Sequence, residues 1–232
     1  MNPRVLYRAA SYATDARSSA DAVISALTPA AWYRNATGVT ESGGFASQWD
    51  DYSGNGRHLV QGVGTNQPAY SAGVLTFDGA DNFMDAASWS MVQPETIYIV
   101  FQQISWAAAD RIFDGPITQN TGTLYQDTST PSLNLWAGAA IGVNANLAVG
   151  SYGIVCVVIN NASSSTRVNN TTKVSGIAGA NDMGGFRLAR IGSTGPNYGN
   201  IAVKEIVIFA AAHDDTTQDS VITALNNALT VF

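Results

Sequence analysis

Charged residues are scarce in this chain of 232 residues, of which they make up 12%. An average globular domain carries about twice that share. The shortage is uneven, because 14 aspartates accompany only three glutamates and nine arginines accompany only two lysines. Glutamate and lysine favour helices, whereas the abundant glycine, serine, threonine and asparagine favour turns and sheet surfaces. The composition therefore excludes a coiled coil or a long helical bundle, and 46% apolar residues exclude general disorder.

Cysteine and long apolar runs are also rare. Cys156 is the only cysteine, so no disulfide can form within the chain, and its apolar surroundings (153–159) indicate an inert thiol in a buried strand. No apolar run approaches the roughly 20 residues that a membrane helix needs. No apolar stretch of secretory-signal length follows the first arginines. We therefore expect neither a membrane partner nor secretion.

The net charge of −6 is divided unequally along the chain. Residues 1–17 contain Arg4, Arg8 and Arg17 against Asp15, a local charge of +2, whereas the remainder holds eight basic and 16 acidic residues, a local charge of −8. A segment with this excess of acidic residues has no general attraction for nucleic-acid phosphates. The three arginines are candidate attachment residues for an acidic surface on a neighbouring subunit. A solvated terminus is the alternative.

Hydrophobic periodicity places helices only near the two ends of the chain. Apolar residues at helical spacing predict a helix over 18–27 and another over 216–229, with Asp215 as the N-cap of the second. Between them, short apolar segments alternate with turn residues. The predicted strands are 96–104, 111–113, 132–136, 153–160, 166–169, 171–175, 186–191 and 200–209. This pattern predicts an all-β antiparallel sandwich over 27–232, preceded by an arm and short helix over 1–26.

Three segments carry a resemblance to a known family. They read Trp-Asp-Asp-Tyr-Ser-Gly-Asn-Gly-Arg-His-Leu at 49–59, Leu-Thr-Phe-Asp-Gly-Ala-Asp-Asn-Phe at 75–83 and Gly-Asn-Ile-Ala-Val-Lys-Glu-Ile-Val-Ile-Phe at 199–209. With Leu27–Trp32 and the C-terminal helix, they resemble the concanavalin A-like (laminin-G/pentraxin-type) jelly-roll domains. The resemblance implies an antiparallel jelly-roll β-sandwich, a fold common in bacterial surface proteins and phage virion proteins.

The sequence lacks the residue patterns of the common catalytic sites. Many members of this superfamily are retaining glucanases, which carry a Glu-x-Asp-x-x-Glu pattern, but Glu41, Glu95 and Glu205 are isolated and none begins it. His58 and His213 are the only histidines, and the nucleophile-elbow, zinc and phosphate-loop motifs are missing. The sequence therefore predicts that the chain is not an enzyme.

A calcium ion is the one cofactor that the resemblance suggests. Related lectin-like sandwiches often hold Ca²⁺ at a rim through Asp, Asn and backbone oxygens. Asp50, Asp51 and Asn55 form an oxygen-rich cluster and are the candidate ligands. Ordinary turns, in which these side chains accept backbone N–H groups, are the alternative, and otherwise we expect no cofactor.

Sugar binding would use exposed aromatic rings together with amide and arginine side chains. The alternation Leu133, Asn134, Leu135, Trp136 places the two leucines on one face of a strand and Asn134 with Trp136 on the other. If the leucines face the core, Trp136 faces solvent; in the alternative, it packs under a loop or against a neighbouring chain. The candidate carbohydrate-binding residues are Trp136, Asn134, Tyr125, Arg111 and Trp106.

These observations predict a non-enzymatic structural protein of a phage virion, assembled in the host cytoplasm. It would decorate the head or belong to the tail, attach to other virion proteins through its N-terminal arm and form a homo-oligomer. The resemblance, the opposite charge of the arm and the lack of a secretion signal favour this function. The alternative is a lectin-like carbohydrate-binding module that mediates adsorption to cell-surface glycans.

Overall fold

A computed structural model describes the backbone of residues 3–192 and 195–232, with side chains from residue 15 onward in those ranges. Within these residues the chain forms two α-helices, α1 (Pro3–Ala26) and α2 (Asp215–Leu229), and seventeen strands. The strands are β1 (Ala31–Tyr33), β2 (Val39–Ser42), β3 (Phe45–Trp49), β4 (Leu59–Val60), β5 (Ala69–Ser71), β6 (Val74–Asp78), β7 (Met84–Ala86), β8 (Glu95–Gln103), β9 (Arg111–Asp114), β10 (Thr123–Gln126), β11 (Ser132–Trp136), β12 (Ala145–Asn146), β13 (Tyr152–Ile159), β14 (Ser164–Val168), β15 (Val174–Gly176), β16 (Arg187–Leu188) and β17 (Asn200–Phe209).

All of these strands belong to one continuous antiparallel sheet. One series of neighbours runs from β15 through β14, β13, β8 and β17 to β6 and β5. Strand β3 pairs with β5 and connects it to a second series, which runs through β4, β7, β16, β9, β10 and β11 to β12. The prediction of an antiparallel, mainly β chain with two terminal helices is confirmed.

Side chains from both series meet in one main core. Ile97, Ile99 and Phe101 of β8 enter it from the first series, and Leu133 and Leu135 of β11 enter it from the second. All five are fully buried. Because side chains alternate along a strand, the intervening residues of β11 face away from this core. The predicted leucine face of β11 is therefore confirmed.

A second core lies on the other side of the first series, beneath the two helices. Tyr98 of β8 and Phe209 of β17 pack there with Ile24 of α1 and Leu225 of α2. Strands buried on both faces read as continuous apolar runs, which explains the apolar segment around Cys156. Cys156 belongs to this second core, and burial raises the pKa of its thiol to about 12.

Both helices begin at residues other than those predicted. Helix α1 starts at Pro3 and not at residue 18, because Ala and Arg favour a helix in a segment where no apolar period marks one. Asp214, and not Asp215, caps α2: its side chain accepts the backbone N–H of Thr217 at 2.8 Å. No helix of the described residues combines the length and the apolar character needed to cross a membrane.

Candidate functional site

Three of the predicted sugar-binding residues form a row across neighbouring strands. Tyr125 on β10 lies opposite Asn134 on β11 and opposite Arg111 on β9. The adjacent residues Leu124 and Leu133 point into the main core, so the row lies on the outward face of the second series. We call Arg111, Tyr125 and Asn134 the Arg111 row.

The guanidinium of Arg111 is fixed at one end of this row. Its central carbon lies 4.9 Å from the centroid of the Tyr125 ring. Its Nη2 donates to Oδ1 of Asn120 at 2.9 Å, and its Nη1 donates to the carbonyl of Ala109. Burial lowers the pKa of Arg111, against the opposing effect of the Asp114 charge. The guanidinium is therefore held over the ring by two hydrogen bonds.

Asn134 is fixed at the other end. Its Nδ2 donates to Oδ1 of Asn144 at 2.7 Å and to Oδ2 of Asp127 at 3.2 Å. However, Oδ1 of Asn134 and Nε of Arg111 are both buried without a hydrogen-bond partner among the described residues. Buried polar atoms normally have a protein or water partner. The row therefore keeps one unused acceptor and one unused donor, on either side of Tyr125.

Two tryptophans flank the row along β11. Trp136 ends the strand on the same face as Asn134 and is half-buried, and its backbone bridges to Ala140. Trp106 is also half-buried, and its Nε1 donates to the carbonyl of Ser132 at 3.3 Å, at the beginning of the strand. The strand rise separates Ser132 and Trp136 by about 13 Å. All five predicted sugar-binding residues thus lie in one region of the second series.

Two carboxylates beside the row were not selected from the sequence. Asp110 directly precedes Arg111, and burial raises its pKa to about 6 although the Arg111 charge acts in the opposite direction. Asp127 contacts Asn134, and its charge adds to the effect of burial in raising the pKa of Tyr125. An aspartate beside a turn usually signals only the turn. No local pattern in the sequence marks these two as part of a site.

The proposed calcium ligands are used for other contacts. The Asp51 carboxylate accepts backbone N–H groups from Trp32, Ser53 and Arg57 at 2.9–3.0 Å. Asp50 instead accepts from Gln48 at 2.7 Å and lies 3.2 Å from His58. Asn55 donates to the carbonyl of Ala30 at 2.9 Å. These contacts are those of the turn alternative, and the described residues contain no group of three or more His, Cys, Asp or Glu side chains able to hold a metal ion.

Arg17, a predicted attachment residue, lies in an internal ion pair. Its Nη1 and Nη2 donate to the two carboxylate oxygens of Glu205 at 2.6 and 2.9 Å, and it also pairs with Asp21. Glu205 is fully buried and accepts a further hydrogen bond, at 2.8 Å, from Nε1 of Trp32. Arg17 thus joins α1 to β17 and has a structural role, and its part in attachment stays a prediction. The side chains of Arg4 and Arg8 lie outside the described residues.

Comparison with known proteins yields structural neighbours only. No family model matches the chain, and neither does any curated protein. A solved Trypanosoma rangeli sialidase in complex with sialic acid aligns with 94% of this chain and 38% of its own, at 11% identity and a TM-score of 0.62. A GH54 α-L-arabinofuranosidase soaked with a cyclic sulfate inhibitor aligns with 79% of this chain and 51% of its own, at 14% identity and a TM-score of 0.60. The chain therefore spans about two fifths and one half of these proteins, and the likeness establishes the fold alone.

These neighbours overturn the prediction that the chain is not an enzyme. Both are glycosidases, and the shared fold extends over most of this chain. The prediction rested on the absence of one glucanase carboxylate pattern. Glycosidases differ in their catalytic groups, and sialidases use a tyrosine nucleophile, so a missing pattern excludes only one class of them.

Proposed function

We propose that the chain is a glycan-binding protein built on a concanavalin A-like jelly-roll sandwich, with the Arg111 row as its binding face. Two series of antiparallel strands that share one core support this fold. The observation that carries the function is the half-buried Tyr125 ring with the Arg111 guanidinium 4.9 Å from its centroid, on a row flanked by the half-buried Trp106 and Trp136. Sugar hydroxyls both donate and accept hydrogen bonds, and sugar rings stack on aromatic faces.

A glycan array of plant and bacterial polysaccharides tests this proposal. We expect a defined set of ligands, and we expect Trp136→Ala to lose them because it removes the half-buried ring at the end of the row. Phe45→Ala is the matched control, since Phe45 is 50% exposed on β3, away from the row. An array without a ligand for the folded protein would contradict the proposal, as would equal loss of binding in both variants.

Hydrolysis is a second candidate function, with two carboxylates next to the Arg111 row as the candidate groups. Asp110 has a pKa raised to about 6, which suits a general acid, and Asp127 provides a second carboxylate near Tyr125. Release of reducing sugar from the ligands found on the array is the assay. We expect Asp110→Asn to abolish release while binding persists, and release by the unaltered protein to decline as the pH rises above 6. Binding without any release would leave the glycan-binding proposal alone.

Attachment to a phage virion, at the head or the tail, remains a separate proposal. Helix α1 begins at Pro3, so about 20 Å of helix precedes the residue that anchors it, Arg17. A truncation that lacks residues 1–14 spares this anchor. We expect it to fold and to be absent from purified particles, whereas incorporation at the normal level would exclude attachment through the helix.

A further inference from the structure

A pocket of about 480 Å³ is lined by residues other than those of the Arg111 row. It opens where the residues after α1, the turn at 52–57 and the loop at 89–91 meet. Sites for small molecules span about 300–1,000 Å³, so this pocket has the size of one. We call it the Arg57 pocket; its walls include Trp32, Tyr52, Ser53, Asn55, Arg57 and Trp89.

One wall of the Arg57 pocket is organised by a glycine-containing turn. Ser53, Asn55 and Arg57 alternate with two glycines whose φ angles are +87° and +71°, a left-handed conformation that strains other residues. The three side chains all donate to one acceptor, the carbonyl of Ala30. The distances are 3.3 Å from Oγ of Ser53, 2.9 Å from Nδ2 of Asn55 and 2.9 Å from Nη1 of Arg57. The polar wall is therefore fixed without a ligand, which reduces the entropy lost on binding.

The charge of the pocket is opposite to that of the protein. Among the described residues that line it, Arg57 is the only charged one, although the chain carries a net charge of −6. The Arg57 guanidinium lies with its central carbon 4.9 Å from the centroid of the Trp89 ring. A contact with an aromatic ring leaves guanidinium N–H groups for an acceptor, and of these Nη1 of Arg57 donates to the carbonyl of Ala30. Among the described residues no carboxylate forms an ion pair with Arg57.

The remaining walls suit a ring that carries hydroxyl groups. Tyr52 is 50% exposed, and its ring packs edge-on against Trp32 with the centroids 5.0 Å apart. Thr28 and Ser90 add hydroxyl groups to the lining. Nδ2 of Asn55 already donates to the carbonyl of Ala30, which leaves the amide oxygen as the acceptor for a ligand donor. A small anion with an apolar face and several hydroxyls meets each of these features.

We propose that the Arg57 pocket binds a monosaccharide acid, with the carboxylate on Arg57 and the sugar ring between Tyr52 and Trp89. The Arg57 pocket shares no residue with the Arg111 row. This proposal therefore stands or falls independently of glycan binding at the row.

Titration calorimetry with the full chain tests the proposal, with glucuronate, glucose and inorganic phosphate as probes. We expect glucuronate to bind at millimolar concentration, and glucose to bind at least about tenfold more weakly because it lacks the charge-assisted hydrogen bonds. Equal binding of glucuronate and glucose would overturn the proposal. Binding of phosphate in preference to glucuronate, or no binding of glucuronate, would also overturn it.

Variants assign the binding to this pocket. Arg57→Gln should weaken glucuronate binding about tenfold or more, and Arg57→Lys should weaken it less, since lysine keeps the charge but not the planar fork. Arg190→Gln is the matched control: Arg190 also stacks on an aromatic ring, with its central carbon 4.6 Å from the Phe83 centroid, outside the pocket. Equal loss in the Arg57 and Arg190 variants would overturn the assignment. Should Arg57→Gln fail to fold, quenching of tryptophan fluorescence by glucuronate, lost in Trp89→Phe, decides the same question.

Discussion

The buried carboxyl group of Glu95 predicts that the protein loses stability as the pH rises. Glu95 is the first residue of β8 and is fully buried, and neither carboxylate oxygen lies in good hydrogen-bonding geometry with a described residue, although the backbone of Met183 acts to lower its pKa. Burial, with a contribution from the negative charge of Asp182, raises its pKa from 4.5 to about 8. The folded protein therefore holds a proton at neutral pH that the unfolded chain releases.

The sign and size of the effect follow from this difference. Because the folded-state pKa is the higher one, the stabilisation is complete below the unfolded pKa of 4.5 and is lost as the pH rises towards 8. Each pKa unit corresponds to about 1.4 kcal/mol, and the effect tapers near each pKa, so the free energy of unfolding should fall by about 3.5 kcal/mol between pH 5 and pH 8 through this group. Glu95→Gln places a neutral amide of similar shape at the site and removes this contribution.

Urea unfolding at pH 5, 6, 7 and 8, followed by tryptophan fluorescence, measures the effect. The difference in unfolding free energy between Glu95→Gln and the unaltered protein should change with pH in favour of the variant, because every other titrating group is common to both. Glu41→Gln is the control: Glu41 is exposed and accepts the backbone N–H of Gly44. A constant difference between Glu95→Gln and the unaltered protein across this range would refute the reasoning.

Three further predictions concern buried charges. Arg17→Met should destabilise the fold by about 3–5 kcal/mol because it leaves the Glu205 carboxylate buried without its cation. Adding Glu205→Gln should restore part of the stability that is lost, as measured by thermal unfolding. No recovery in the double variant would contradict this pairing. Asp114→Asn should lower the free energy of unfolding by about 2–4 kcal/mol, since the carboxylate accepts four backbone N–H groups and an amide nitrogen accepts none. An unchanged melting temperature would show that these hydrogen bonds contribute nothing to stability. EDTA should leave the melting temperature unchanged. Asp51→Ala should lower the melting temperature, because Asp51 accepts hydrogen bonds from backbone N–H groups. A lower melting temperature in EDTA that calcium reverses would support a metal site instead.

Local patterns predicted the local features of the site correctly. Alternation along β11 was enough to place Leu133 and Leu135 on one face and Asn134 and Trp136 on the other, and the structure shows that the leucine face is the core face. The turn chemistry at Asp51 was likewise readable as an alternative to a metal site. These features depend on neighbours within a few residues, where steric and hydrogen-bonding rules apply directly.

Long-range contacts could not be predicted in this way. The Arg111 row depends on the register of three strands, with a shift between β9 and β10 that no sequence pattern marks. The Arg17 and Glu205 side chains meet across 188 positions. Trp89 lies in a loop between β7 and β8, where no strand alternation indicates its direction, so the Arg57 pocket is visible only in the folded chain.

The two helices and the Arg111 row lie on opposite sides of the molecule. Both helices pack on the outer side of the first strand series, whereas the Arg111 row lies on the outer side of the second, with the main core between them. A bead, a surface or a larger assembly that held the protein by its helical side would leave the row pointing away from the support. Immobilisation through the helices should therefore orient every copy alike, with its candidate sugar-binding face towards the solution.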